Sequence, residues 1–234
     1  QGNLYVTTDE ASIGLERRTT GAVWSDGSGW GSAAPRALAK TTSRLYVAVN
    51  KNRVMYASPI DSAGADVDAR LYSSFTPAGT GAAGTGGISV GESSYNINQM
   101  VTVGDQLFCM KDEGLFMLDA NLNGQNLTPS VEVEALAKGS YVNGAQGCTW
   151  RGYVVYPTVH SLWFYRDGLL FEAYPREQIE EEPAAASQSF AVLEAIFPMG
   201  RWLVALVSAR GTTSSPLSYI CLGREATDED DTPF

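Results

Sequence analysis

The residues with the clearest capacity to hold a ligand are aromatic. Trp24 and Trp30 bracket the segment WSDGSGW and Tyr95 lies in ESSYN, which puts three large rings in Gly/Ser-rich stretches where exposed faces can stack on a sugar. Trp150 and Trp163 are further candidates wherever they are not core. WSDGSGW is shorter than the S-x-D-x-G-x-T-W turn of sialidase-type propellers. The arginines such an enzyme needs (Arg17, Arg18, Arg44, Arg53, Arg70, Arg151 and Arg201) share no common place along the sequence. Glu132 and Glu134 are two residues apart, so on a strand they are neighbours on one solvated face, not a glycosidase pair across a bond. Trp24, Trp30 and Tyr95 therefore stand as candidate contacts for a sugar or receptor, and no catalytic set is assigned.

Metal and nucleophile chemistry have little to work with. The run Asp119-Ala120-Asn121-Leu122-Asn123-Gly124 opens like a calcium loop, with alternating oxygen side chains and a Gly for the sharp turn. Its twelfth position is Ser130 where an EF-hand has a bidentate Glu. An Asx-rich turn between strands is the simpler reading, so no metal and no cofactor is expected. Cys109, Cys148 and Cys221 each sit inside an apolar run without CxxC spacing, as buried thiols do. A single histidine, His160, leaves one chain without a His-based metal cage or conventional triad.

The elements that must carry these residues are β-strands. Five β-rich quartets follow a small or polar turn: Asn3-Leu4-Tyr5-Val6, Arg44-Leu45-Tyr46-Val47, Gln106-Leu107-Phe108-Cys109, Gly152-Tyr153-Val154-Val155 and Trp202-Leu203-Val204-Ala205. Their second residues are 41, 62, 46 and 50 apart, and the long interval falls to 45 without the 17-residue Gly/Ala/Ser-rich segment 77–93. Each quartet is followed by a turn and a second β-rich run, as in the hairpins RLYVAVNKNRVMYASP, QLFCMKDEGLFMLD and HSLWFYRDGLLFEAYP, in which Asn52, Asp112-Glu113-Gly114 and Asp167-Gly168 supply residues tolerant of positive φ. A preceding strand is expected at INQMVTVGD, NGAQGCTWRG and VLEAIFPMG, and an outer strand at Ala69–Phe75, Val131–Ala137 and Leu169–Tyr174. Strands Leu162 to Tyr165 alternate, so one pair of Leu162/Phe164 and Trp163/Tyr165 faces the core and the other a neighbouring blade or partner.

Repeats of this length with three to four antiparallel strands predict an all-β chain, a β-propeller or partial propeller over 1–224, with a sandwich as the alternative. The insert 77–93 and the acidic linker 176–189 interrupt it, and 225–234 (EATDEDDTPF) reads as an acidic, flexible tail. Beginning at Gln1 inside a hairpin, the chain reads as a processed or partial product whose missing strand must come from elsewhere. The formal charge of −10 disfavours nucleic-acid binding, and no apolar stretch is long enough for membrane insertion by a helix.

The stretch Arg44 to Gly168 resembles the β-propeller region of virion structural proteins of tailed bacteriophages, including tail nozzle proteins of short-tailed phages. The residues that carry the resemblance are RLYVAVNKNRVMYASPID, a variable insert, INQMVTVGDQLFCMKDEGLFMLDA and GAQGCTWRGYVVYPTVHSLWFYRDG, a pattern of hairpins rather than signature residues. It implies a non-enzymatic virion protein of the tail or attachment region, without cofactor, whose partners are other virion structural proteins and copies of itself. Nozzle proteins are far longer, with platform and tip domains for which this chain has no room. The alternatives are a carbohydrate- or receptor-binding propeller module that meets a host-surface glycan through Trp24, Trp30 and Tyr95, and a propeller glycoside hydrolase.

Overall fold

A computed structural model describes residues 4–7, 14–18, 24–31, 33–60, 63–76, 86–111, 114–119, 124–126, 147–157, 161–175, 190–210 and 217–224. The chain is all-β: these residues form eighteen strands in five small antiparallel sheets, plus one 3-10 turn at Tyr72–Ser74. It divides into two compact units, Gln1–Leu127 and Thr128–Phe234.

The first unit holds three sheets. They are β1 (Leu4–Thr7), β2 (Leu15–Arg18) and β3 (Trp24–Ser25); β4 (Pro35–Lys40), β5 (Leu45–Val49), β6 (Arg53–Ala57) and β7 (Ile88–Ser89); and β8 (Ile97–Val103), β9 (Gln106–Lys111), β10 (Gly114–Leu118) and β11 (Gly124–Asn126). Strands consecutive in sequence are neighbours in every sheet. Period-two alternation explains how the middle sheet serves two cores. Tyr46 and Ala48 of β5 join Ile97, Met100, Leu107, Cys109 and Leu118 of the third sheet, while Val47 and Val49 turn the other way to Leu15, Trp30 and Phe75. A strand buried on both faces reads as an unbroken apolar run, as LYVAV does.

The second unit holds β12 (Cys148–Trp150), β13 (Tyr153–Pro157), β14 (Ser161–Arg166) and β15 (Leu169–Pro175), then β16 (Phe190–Met199), β17 (Trp202–Arg210) and β18 (Leu217–Arg224). Leu162 and Phe164 face a core shared with Trp150, Ile196 and Leu203. On the opposite face Tyr165 is buried and Trp163 half-buried. Turn chemistry follows the sequence. Arg151-Gly152 and Asp167-Gly168 both have positive φ at both residues, which a two-residue hairpin of type I′ requires.

The quartets at Arg44, Gln106, Gly152 and Trp202 all fall on the second strand of their sheets, and the quartet at Asn3 on β1. Three expectations need correction. Asn52 is not the positive-φ residue of its hairpin: Asn50 and Lys51 are, at φ 47° and 67°, and Asn52 is buried with its Nδ2 donating to Gly91 O at 3.1 Å. Ala69–Phe75 is not a strand. Asp68 accepts from the Arg70 amide at 3.1 Å and Ser74 Oγ donates to Asp68 O at 2.8 Å, and such local side-chain bonds favour a turn over a ladder. The outer edge of β6 is taken instead by Thr76, paired with Tyr56, and by β7. The segment 77–93 is also not excluded from packing, since Val90 is 3% exposed in the core shared by the second and third sheets. Residues 77–85 and the expected strand Val131–Ala137 lie outside the described residues, as do 176–189 and 225–234.

Candidate functional site

A cleft of about 430 Å³ opens in the first unit between its first and second sheets. Tyr5 of β1 and Arg17 of β2 form one side, the β4–β5 turn from Lys40 to Arg44 another, and the loop carrying Asp66 and Asp68 the third. The turn is closed by Thr41, which is 6% exposed: its amide donates to Arg44 O at 3.0 Å and its Oγ1 accepts from the Arg44 amide at 3.2 Å. Thr102 Oγ1 of β8 donates to Lys40 O at 2.8 Å and fixes the other end of the turn. The Arg44 guanidinium lies 4.1 Å over the Tyr56 ring, a cation–π contact that holds the charge at the rim.

Beside the turn, Asp68 is gripped by Arg70 through Nε at 3.0 and 3.1 Å and Nη2 at 2.6 Å. The hydrogen bonds from the Arg70 side chain hold the Asp68 carboxyl below its ordinary 3.8, with its partial burial opposing them and the Arg70 amide and the Arg17 charge adding to them. Arg17 Nη1 is left at 3.6 Å from the same carboxylate, and its Nε is buried with no acceptor among the described residues. The cleft therefore gathers Arg17, Lys40 and Arg44 around three hydroxyl-bearing residues, Thr41, Thr42 and Ser43, while one of its two carboxylates is already neutralised.

The loop holding Asp68 is built on Trp30. The indole is 1% exposed, and its Nε1 donates to Arg70 O at 2.7 Å. Ser28 N also donates to Arg70 O, and Tyr72 N to Ser28 O. Tyr72 and Phe75 pack against the indole at 5.5 Å each. A Cβ at Gly27 would lie 2.5 Å from Arg70 O and one at Gly14 would collide with the indole ring, so both glycines are required by close approach. Trp30 is thus a core residue, which corrects the expectation of an exposed ring for sugar stacking. Its neighbours in WSDGSGW are small because backbone from 70–72 must pass against them.

Trp24 is in β3 paired with Arg18, and its side chain lies outside what is described. Tyr95 is half-buried in the loop before β8. His160, Glu132, Glu134, Asn121, Asn123 and the Cys221 side chain lie outside the described residues. Among the described residues no three His, Cys, Asp or Glu side chains gather as a metal set, and no helix is long and apolar enough to cross a membrane. Burial pushes the Cys148 thiol up to about 12 and raises that of Cys109 further, the latter opposed in part by Lys111. Neither thiol supplies a thiolate at neutral pH.

Sequence reasoning missed Asp68 and Lys111, and it read Arg70 only as an arginine without a common placement and Asn52 only as a turn residue. Only Asp68-x-Arg70 carried a local signal, opposite charges two apart. Lys111 is fully buried, donating from Nζ to Val90 O at 2.6 Å and Glu92 O at 2.8 Å, and nothing in QLFCMK announces those acceptors.

No family model matches the chain, and no curated protein sequence matches it. Solved structures similar to it include the computationally designed Ika4 protein (10% identity, TM-score 0.42, 80% of this chain and 91% of that one). The extracellular domain of BT4673, named as a one component system, from B. thetaiotaomicron matches at 13% identity and TM-score 0.45, over 99% of this chain and 27% of that one. The N-terminal domain of Nup159 matches at 11% identity and TM-score 0.43, over 81% of this chain and 44% of that one. The chain thus spans less than half the length of these two natural domains.

Proposed function

We propose that this chain is a β-propeller-type structural module that works through contacts between protein subunits, in the tail or attachment region of a tailed-phage virion, and makes no bond. The observation that supports the reading is the repeated sheet. Four of the five quartets fall on the second strand of an up-and-down antiparallel sheet, and successive sheets within each unit share a hydrophobic core through their faces. The buried polar groups also serve loops: Lys111 and Asn52 hold the segment 90–97, and Trp30 holds 70–72. The phage setting rests on the resemblance of Arg44 to Gly168.

Light scattering coupled to size exclusion on the isolated chain tests this. A symmetric oligomer, or a chain that associates with virion proteins, is expected. A stable monomer of 25.1 kDa that recruits no such protein overturns the assembly role. Binding on a glycan array would move the module to the carbohydrate-binding class, and turnover of a glycoside to the hydrolases.

A further inference from the structure

We infer that the cleft between Arg17, Lys40 and Arg44 receives a carboxylate-rich peptide segment, namely residues 225–234 of a second copy of this chain. The inference rests on the assembly reading and names its contact.

The argument is one of charge complementarity. The whole chain carries −10, yet this cleft is lined by three cationic side chains against Asp66 and Asp68. Asp68 is held by Arg70 in bidentate geometry and also pairs with Arg17 at 3.6 Å, so with Arg70 counted four cations stand against two carboxylates. Lys40 forms no ion pair among the described residues, and Thr42 and Ser43 are exposed beside it. Cations with adjacent hydroxyls at the mouth of a cleft suit several carboxylates in a row better than one compact anion, since Lys40 at the end of β4 and Arg17 on β2 come from different sheets. The segment 225–234, EATDEDDTPF, has five carboxylates, at Glu225, Asp228, Glu229, Asp230 and Asp231, and no cation.

A fluorescein-labelled EATDEDDTPF peptide titrated with the full chain at low salt, read by anisotropy, tests the assignment. Binding is expected, weakened at least about tenfold by Lys40→Glu with Arg44→Glu and by raising the salt. Because Arg44→Glu also removes the Tyr56 stack, Lys40→Glu alone is run beside it, with circular dichroism to show that both variants fold. A peptide with Lys at positions 228 to 231 is expected to bind the doubly substituted chain and not the wild type. No binding up to about 1 mM peptide, or binding that Lys40→Glu leaves unchanged, overturns the inference. Displacement by inorganic phosphate at concentrations below those of the peptide overturns it in favour of a phosphate site. An oligomer whose mass neither cleft substitution changes overturns this contact and leaves the assembly reading standing, whereas a monomer in light scattering that recruits no virion protein overturns the assembly reading itself.

Discussion

Trp30 shows what one side chain does here that its surroundings in sequence conceal. In a Gly/Ser-rich stretch it reads as exposed; in the fold it is the largest buried side chain among the described residues of the first unit, with its indole N–H spent on Arg70 O. Trp30→Ala is therefore expected to cost about 3–5 kcal/mol of stability, measured by urea unfolding. An unchanged midpoint with loss of ligand binding would restore the exposed-ring reading. Asp68 makes a second prediction with a defined sign. Its folded carboxyl titrates below the unfolded value, so the stabilisation it gives is complete above about pH 4 and is lost as pH falls through the folded value. Between about pH 2 and 5 the unfolding midpoint of the wild type should depend more steeply on pH than that of Asp68→Asn. Parallel curves would show that the Arg70 grip contributes nothing.

Single hairpins are legible from sequence because their causes are local. Asp167-Gly168 and Arg151-Gly152 adopt the positive φ that short turns demand, and alternation along LYVAV or SLWFYR assigns faces without knowing what lies opposite. The connections between hairpins are not legible in this way. Segment 90–97 is held by Ile97 N on Lys51 O at 2.6 Å, Val90 N on Asn52 O at 2.8 Å, and the Lys111 ammonium on two carbonyls. Those partners come from two different sheets. Lys111→Met keeps much of the side chain's length but leaves the Val90 and Glu92 carbonyls without their donor, at an expected cost of about 1–3 kcal/mol. Hydrogen exchange should show faster opening at Val90 and Ile97 in that variant. Unaltered protection there would mean that the bonds to Lys51 and Asn52 carry the loop without Lys111.

The described hydrophobic clusters are each confined to one of the two units: Trp150 with Ile196 and Leu203 in one, and the two cores flanking the second sheet in the other. Calorimetry is expected to show two transitions, with a van't Hoff enthalpy below the calorimetric one, and Trp30→Ala should lower only one of them. A single transition lowered as a whole would show that the units unfold together, as a closed ring would. The sequence by itself determined the all-β class, the repeat, and the placement of hairpins, because turn preference and period-two burial act over a few residues. Only the tertiary structure decided which polar and aromatic residues are buried and which remain available. Trp30 depends on space left by Gly14 and on a carbonyl 40 residues away at Arg70, and the cleft depends on β2 bringing Arg17 to the Asp68–Arg70 pair beside the β4–β5 turn. Both are long-range contacts, and a chain read one residue at a time does not record them.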